Sequence, residues 1–135
     1  MFEHFIKAQA HLYEQALAEL KDGRKQSHWM WFVFPQIRGL GHSAMSQRFA
    51  LGGIRDAARY LDHPALGLRL RVATQAVLLH QGIHTAHDIF GMPDDLKFRS
   101  CMTLFAHAAP EDPIFLQALD AFYDGIEDLE TARLL

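Results

Sequence analysis

Two short stretches hold most of the side chains able to do chemistry. The first is Ser27-His28-Trp29-Met30-Trp31-Phe32-Val33-Phe34-Pro35-Gln36, which carries both tryptophans of the chain and no charged residue. Tryptophan rings stack on nucleobases, and an imidazole such as His28 gives or takes a proton near neutral pH. His28 and Gln36 border the apolar run, so each must find polar partners wherever it is buried. Basic residues bracket the stretch: Arg24 and Lys25 before it, Arg38 and Arg48 after it. Loop 37–43 adds Gly39, Gly41, His42 and Ser43. A glycine-containing loop running into a helix start suits an anion. No Walker or dinucleotide pattern accompanies it, so no cofactor is specified.

The second stretch is Pro93-Asp94-Asp95-Leu96-Lys97-Phe98-Arg99-Ser100. On a helix, Asp95 and Arg99 are four apart and Asp94 and Lys97 three apart, which suits surface ion pairing. The sharper reading gives Asp95 or Asp94 a general-base role and gives Lys97 and Arg99 an anion to hold. The candidate set is therefore His28 and Asp95 for proton handling. Trp29, Trp31, Gln36, Arg38, His42, Lys97 and Arg99 are the candidates for ligand contact. The plainer alternative is that Trp29, Trp31, Phe32 and Phe34 fill the core, and that the arginines are solvated.

Other candidates carry less. His80, His84 and His87 with Asp88 have spacings that suit metal ligands on one helix, but Gly82 interrupts that helix. No metal site is expected there. Cys101 is the sole cysteine, so no internal disulfide forms, and its place on an apolar helical face predicts a buried, inert thiol. No serine-hydrolase elbow occurs.

Those residues need a scaffold, and composition bounds it. The chain has 135 residues, half of them hydrophobic and 21% charged, with a net charge of -3. That describes one globular domain with one core, and gives no general attraction to nucleic acid or anionic membrane. The apolar run from Trp29 to Phe34 is far too short to span a bilayer. The amino terminus has no secretory pattern, so a soluble cytoplasmic protein is expected.

Apolar spacing is helical throughout. Phe2 to Lys21 forms the first predicted helix, with Gly23 as its stop. Ser27 caps a short helix starting at His28, which Pro35 ends by excluding the α-conformation at Phe34. A strand is the rival reading of this stretch, but no partner strand is evident. Further helices are expected from Ser43 with Met45, Phe49 and Ala50 inward, over Ile54 to Leu61, and over Ala65 to His80. Three more are expected at Ala86 to Phe90, from Pro93, and from Asp112-Pro113 with Phe115, Leu116, Leu119 and Phe122 inward. Asp128 caps a last short helix to Leu134. The expected fold is a single compact all-α domain, residues 1–135, of about seven or eight helices. Their unequal lengths argue against a regular four-helix bundle.

The two chemical stretches, the second extended through Cys101-Met102-Thr103-Leu104-Phe105, resemble the signature blocks of the domain-of-unknown-function 1810 family. The resemblance covers nearly the whole chain. It implies a small, mostly helical bacterial protein from a family with no established activity. Such proteins are sometimes labelled calpastatin, yet calpastatin is a disordered inhibitor and this chain can bury a large core. The order of an aromatic block with a His, a mid-chain His63-Pro64-Ala65-Leu66 helix start and a late Gly/Asp/Arg block is also similar to helical N-glycosidases acting on ADP-ribose-type substrates.

Two functions follow. In the first, the two blocks meet at a pocket that binds, with hydrolysis as an extension, an anionic nucleotide-like or ADP-ribose-type small molecule. In the second, the aromatic segment is an exposed docking surface for a protein partner.

Overall fold

Helix α1, Glu3–Lys21, buries Phe5, Gln9, Tyr13, Ala16, Glu19 and Leu20. The spacings of three and four make one continuous face. Gly23 ends the helix as expected, at φ 76°. Its amide donates to the Leu20 carbonyl and that of Arg24 to the Glu19 carbonyl, a Schellman closure that only an unhindered left-handed residue makes cheaply. The computed structural model describes residues 1–135.

The aromatic stretch forms helix α2, Met30–Val33, one turn long. It begins two residues later than expected, and Ser27 does not cap it. The Ser27 hydroxyl donates instead to Glu19. The strand alternative fails, since the nearest thing to a sheet is one isolated bridge between Ile37 and Leu51.

The remaining helices are α3 Ala44–Arg48, α4 Ile54–Asp62, α5 Leu66–Leu78, α6 Ala86–Phe90, α7 Asp94–Ala108, α8 Ile114–Tyr123 and α9 Leu129–Leu134. Short helices need side-chain caps because so few of their own amides are paired. Ser43 caps α3, Thr85 and Asp88 form a reciprocal capping box on α6, and Asp128 caps α9. At α5 the His63 Nδ1 accepts from the Ala65 and Leu66 amides, so the His-Pro pair is a helix start. Two residues expected inward face out: Met45 on α3 and Leu116 on α8.

The architecture is a mostly helical packing of nine unequal helices. Its centre is α7, which packs against α4, α6, α8 and α9. Phe98, Cys101, Met102, Leu104 and Phe105 are all fully buried there. The aromatic stretch is a plug on this core and not its axis: α2 lies on α1 and α5. Phe34 reaches the second block directly, with its ring edge on Phe98 at 4.9 Å. A second aromatic series runs Phe5–Tyr60–Phe105–Phe115 at centroid spacings of 5.2, 5.7 and 5.6 Å. One hydrophobic cluster therefore spans the molecule. No helix is long and apolar enough to cross a membrane.

Candidate functional site

The two sequence blocks meet through charge as well as through rings. The Lys25 ammonium lies 2.8 Å from Asp94 Oδ2 and donates to the Ser27 carbonyl at 2.6 Å. Its side chain is only 8% exposed. On the other oxygen, Lys97 Nζ lies 3.4 Å from Asp94 Oδ1. Each ammonium also faces an indole: Lys25 over Trp29 at 5.0 Å, Lys97 over Trp31 at 5.2 Å. Asp94 thus bridges two cations, and a buried ammonium left without it would be costly.

Trp29 is fully buried, and its indole N–H donates to Glu19 Oε1 at 2.9 Å. It cannot meet a ligand in this arrangement. Phe32 and Phe34 are buried too, so the segment presents no aromatic docking patch. Trp31 is half-buried and is the ring of this segment that remains in reach of a ligand.

Beside Trp31 lie two adjoining hollows that share Gln36, Gly41 and Ser46. The inner one, about 30 Å³, is lined by Trp31, Ile37, Arg38, Gly39, Gln47, Phe49 and Ala50 as well. The outer cleft, about 260 Å³, adds Leu40, Pro93, Leu96, Lys97, Ser100, Asp128 and Glu130. Its walls are the 36–46 loop on one side and the starts of α7 and α9 on the other. A paired hydrogen-bond ladder fixes the loop: Arg38 N–H donates to the Leu51 carbonyl at 2.8 Å and Leu51 N–H to the Gln36 carbonyl at 2.9 Å.

The expected site residues divide accordingly. Trp31, Gln36, Arg38 and Lys97 line the joined hollows. His28 is exposed and lines neither. Asp95 accepts from the Leu96 amide at 2.9 Å and lies 3.5 Å from His87 Nδ1, away from the cleft. Arg99 donates to the Ile126 carbonyl at 2.8 Å and covers the Tyr123 ring, so it serves the α8–α9 connection. His42 is exposed, with its carbonyl held by Gln47. Helical geometry explains the split on α7: positions 93, 96, 97 and 100 share one face, while 95 and 99 share another.

The Asp94–Lys97 pair expected from its spacing forms, whereas Asp95 and Arg99 do not pair and find other partners. Ser46, Ser100, Asp128 and Glu130 were not singled out by the sequence, and they come from three elements with no common motif. Glu19 had a faint signal, since it falls on the apolar register of α1. It accepts from the Gln26 and Ser27 amides, the Ser27 hydroxyl and the Trp29 indole. Burial alone would raise its pKa; the hydrogen bonds from Ser27, Gln26 and Trp29 outweigh this and bring it down to about 2.

The histidines assemble no metal site. His80 Nε2 contacts the Leu20 carbonyl at 2.7 Å at the end of α1, and Asp88 caps α6. No group of three or more metal-ligating side chains comes together. Burial pushes the Cys101 thiol far up, so no thiolate nucleophile forms there.

No curated protein matches this chain. It is similar to a crystal structure of the conserved hypothetical protein Rv1873 from Mycobacterium tuberculosis, with 46% identity and a TM-score of 0.96. That similarity covers 98% of this chain and 94% of the other. The family model described as "Protein of unknown function (DUF1810)" matches residues 1–135, and the chain belongs to that family.

Proposed function

We propose that the protein binds an anionic, ring-bearing small molecule, nucleotide-like or of the ADP-ribose type, in the cleft between the 36–46 loop and the start of α7. The observation that supports this reading is the placement of Lys97. Its ammonium stands over the half-buried face of Trp31, is held by Asp94 at 3.4 Å, and lines the same cleft as Gln36 and Ser46. That contact with Asp94 leaves ammonium donors free for a second anion. The Gln36 amide has a donor and an acceptor to offer beside it.

The part of the lining supplied by the start of α9 is acidic. Asp128 uses Oδ2 to cap α9 and Glu130 uses Oε1 for Arg133, so each keeps one oxygen free. A ligand with an anionic group at one end and hydroxyl or amino donors at the other matches that lining, as a sugar phosphate does. Hydrolysis is not part of the reading. The proton-handling pair expected at His28 and Asp95 does not face the cleft.

A thermal-shift screen against nucleoside phosphates and ADP-ribose derivatives tests this. A stabilising ligand is expected, and Lys97→Ala is expected to weaken it by roughly tenfold or more, the worth of one charge-assisted hydrogen bond. Gln36→Ala loses a smaller factor, and His28→Ala leaves affinity unchanged. A screen in which nothing shifts the melting temperature of the parent protein rejects the reading.

A further inference from the structure

A second groove lies between the first turns of α1 and the end of α3. It is an open hollow of about 460 Å³ lined by Glu3, His4, Ile6, Lys7 and Arg48. Three of these side chains are basic or imidazole. His4 and Lys7 are three apart on α1 and therefore share a face. Arg48 ends α3 and reaches them only through the fold.

Phe49 sets their positions. The His4 ring stacks on it at 5.5 Å with planes 19° apart, and the Arg48 guanidinium lies over it at 5.5 Å. Phe49 is itself buried, with its ring against Phe5 and Phe32 at 5.3 Å in each case. Two of the three groups are thus held against a fixed surface before any ligand arrives, which lowers the entropy lost on binding.

The charge is also unspent. Neither Lys7 nor Arg48 takes part in an ion pair. The acid of the groove, Glu3, has its two oxygens on the N-terminal ammonium at 2.7 and 2.6 Å. Burial and the neighbouring Arg48 charge hold the His4 imidazole below its ordinary pKa. A guanidinium offers a planar fork of donors, and an ammonium offers a point charge. Together they suit the oxygens of a phosphate better than a single carboxylate.

We propose that this groove is a phosphate-binding site, formed by Arg48, Lys7 and His4 and separate from the cleft beside Trp31. Its ligand class is a free or terminal phosphate or pyrophosphate group. Phe49 acts as a positioning residue, because its ring holds His4 and Arg48 without meeting the anion.

The full chain is titrated with inorganic pyrophosphate at low ionic strength. Binding is followed by calorimetry and by the NMR resonances of the histidine rings. The expected result is saturable binding that moves the His4 ring resonances and weakens steeply with added salt. Lys7→Glu and Arg48→Glu each weaken the His4 response tenfold or more, while Arg55→Glu, at an exposed position that lines neither site, leaves it as it is. Both charge-reversed groove positions are exposed, and unchanged circular dichroism and melting temperature confirm that the variants fold. Three results overturn the site: no saturable change at His4, a His4 response that survives both groove reversals, or one weakened as much by Arg55→Glu, which makes it a general charge effect.

Discussion

Glu19 sits on the apolar face of α1, where the register calls for a hydrophobic side chain, and accepts five hydrogen bonds in total. It fixes the turn from Gln26 to Trp29 onto the helix. Its folded pKa of about 2 lies below the ordinary 4.5, so the unfolded chain takes up the proton more readily. The stability it contributes is fully present above pH 4.5 and is lost as pH falls toward 2. That contribution is on the order of 3 kcal/mol. Urea titrations at a series of acidic pH values are expected to show this loss. In Glu19→Gln the same series should be flatter, starting from a stability lower by about 2 kcal/mol at neutral pH. A thiol behaves in the opposite way at Cys101, which is fully buried among apolar neighbours. Native protein is expected to resist thiol-modifying reagents and to react only at the rate of global unfolding. Prompt labelling of the folded chain would show that α7 opens locally.

At the scale of elements, α4 and α5 approach each other more closely at Gly67 than the fold does at any other glycine. A Cβ added to Gly67 would stand 2.0 Å from the Leu61 carbonyl oxygen, far inside contact distance. Glycine inside a helix normally costs about 1 kcal/mol relative to alanine. Here that preference is reversed, because the obstructing atom is backbone and cannot swing aside. Gly67→Ala is expected to destabilise by about 1–3 kcal/mol, as overpacking does, measured by denaturant midpoint. A gain in stability would mean that the two helices separate readily. The link between the two chemical blocks is also an element-scale matter. Helix α7 offers Asp94 to Lys25 and Lys97, and its opposite side offers Arg99 and Thr103 to the segment leading into α9. One helix therefore places both parts of the wall that faces the 36–46 loop.

For the whole molecule, the decisive fact is a single hydrophobic cluster that includes residues from nearly every helix. Short helices such as α2 and α6 are far below the length that is stable alone, so they persist only as part of that cluster. Unfolding is expected to be two-state. Far-ultraviolet circular dichroism and tryptophan fluorescence, which reports Trp29 and Trp31 at the α1–α7 side, should give coincident transitions. Separated curves would show that the aromatic plug detaches before the α7 core melts. The wide aromatic contacts between Phe34 and Phe98 argue for coincidence.

The linear chain settled the local questions. Helical periodicity, the glycine stop at Gly23, the caps at Thr85 and Asp128 and the burial of Cys101 all follow from interactions a few residues long. The short stretch around Met30 was harder, because Ser27 is a sound cap in isolation and is diverted only by a carboxylate from another element. Family membership was also legible, since two dense blocks of unusual composition identify it. The site was not. Whether Asp94 or Asp95 faces Lys25, whether Trp29 or Trp31 keeps an open face, and which of Lys97 and Arg99 borders the cleft depend on rotations of about one residue around a helix. Neighbours in sequence are 100° apart there, so only the packing of α7 against the rest of the fold decides which one meets the cleft.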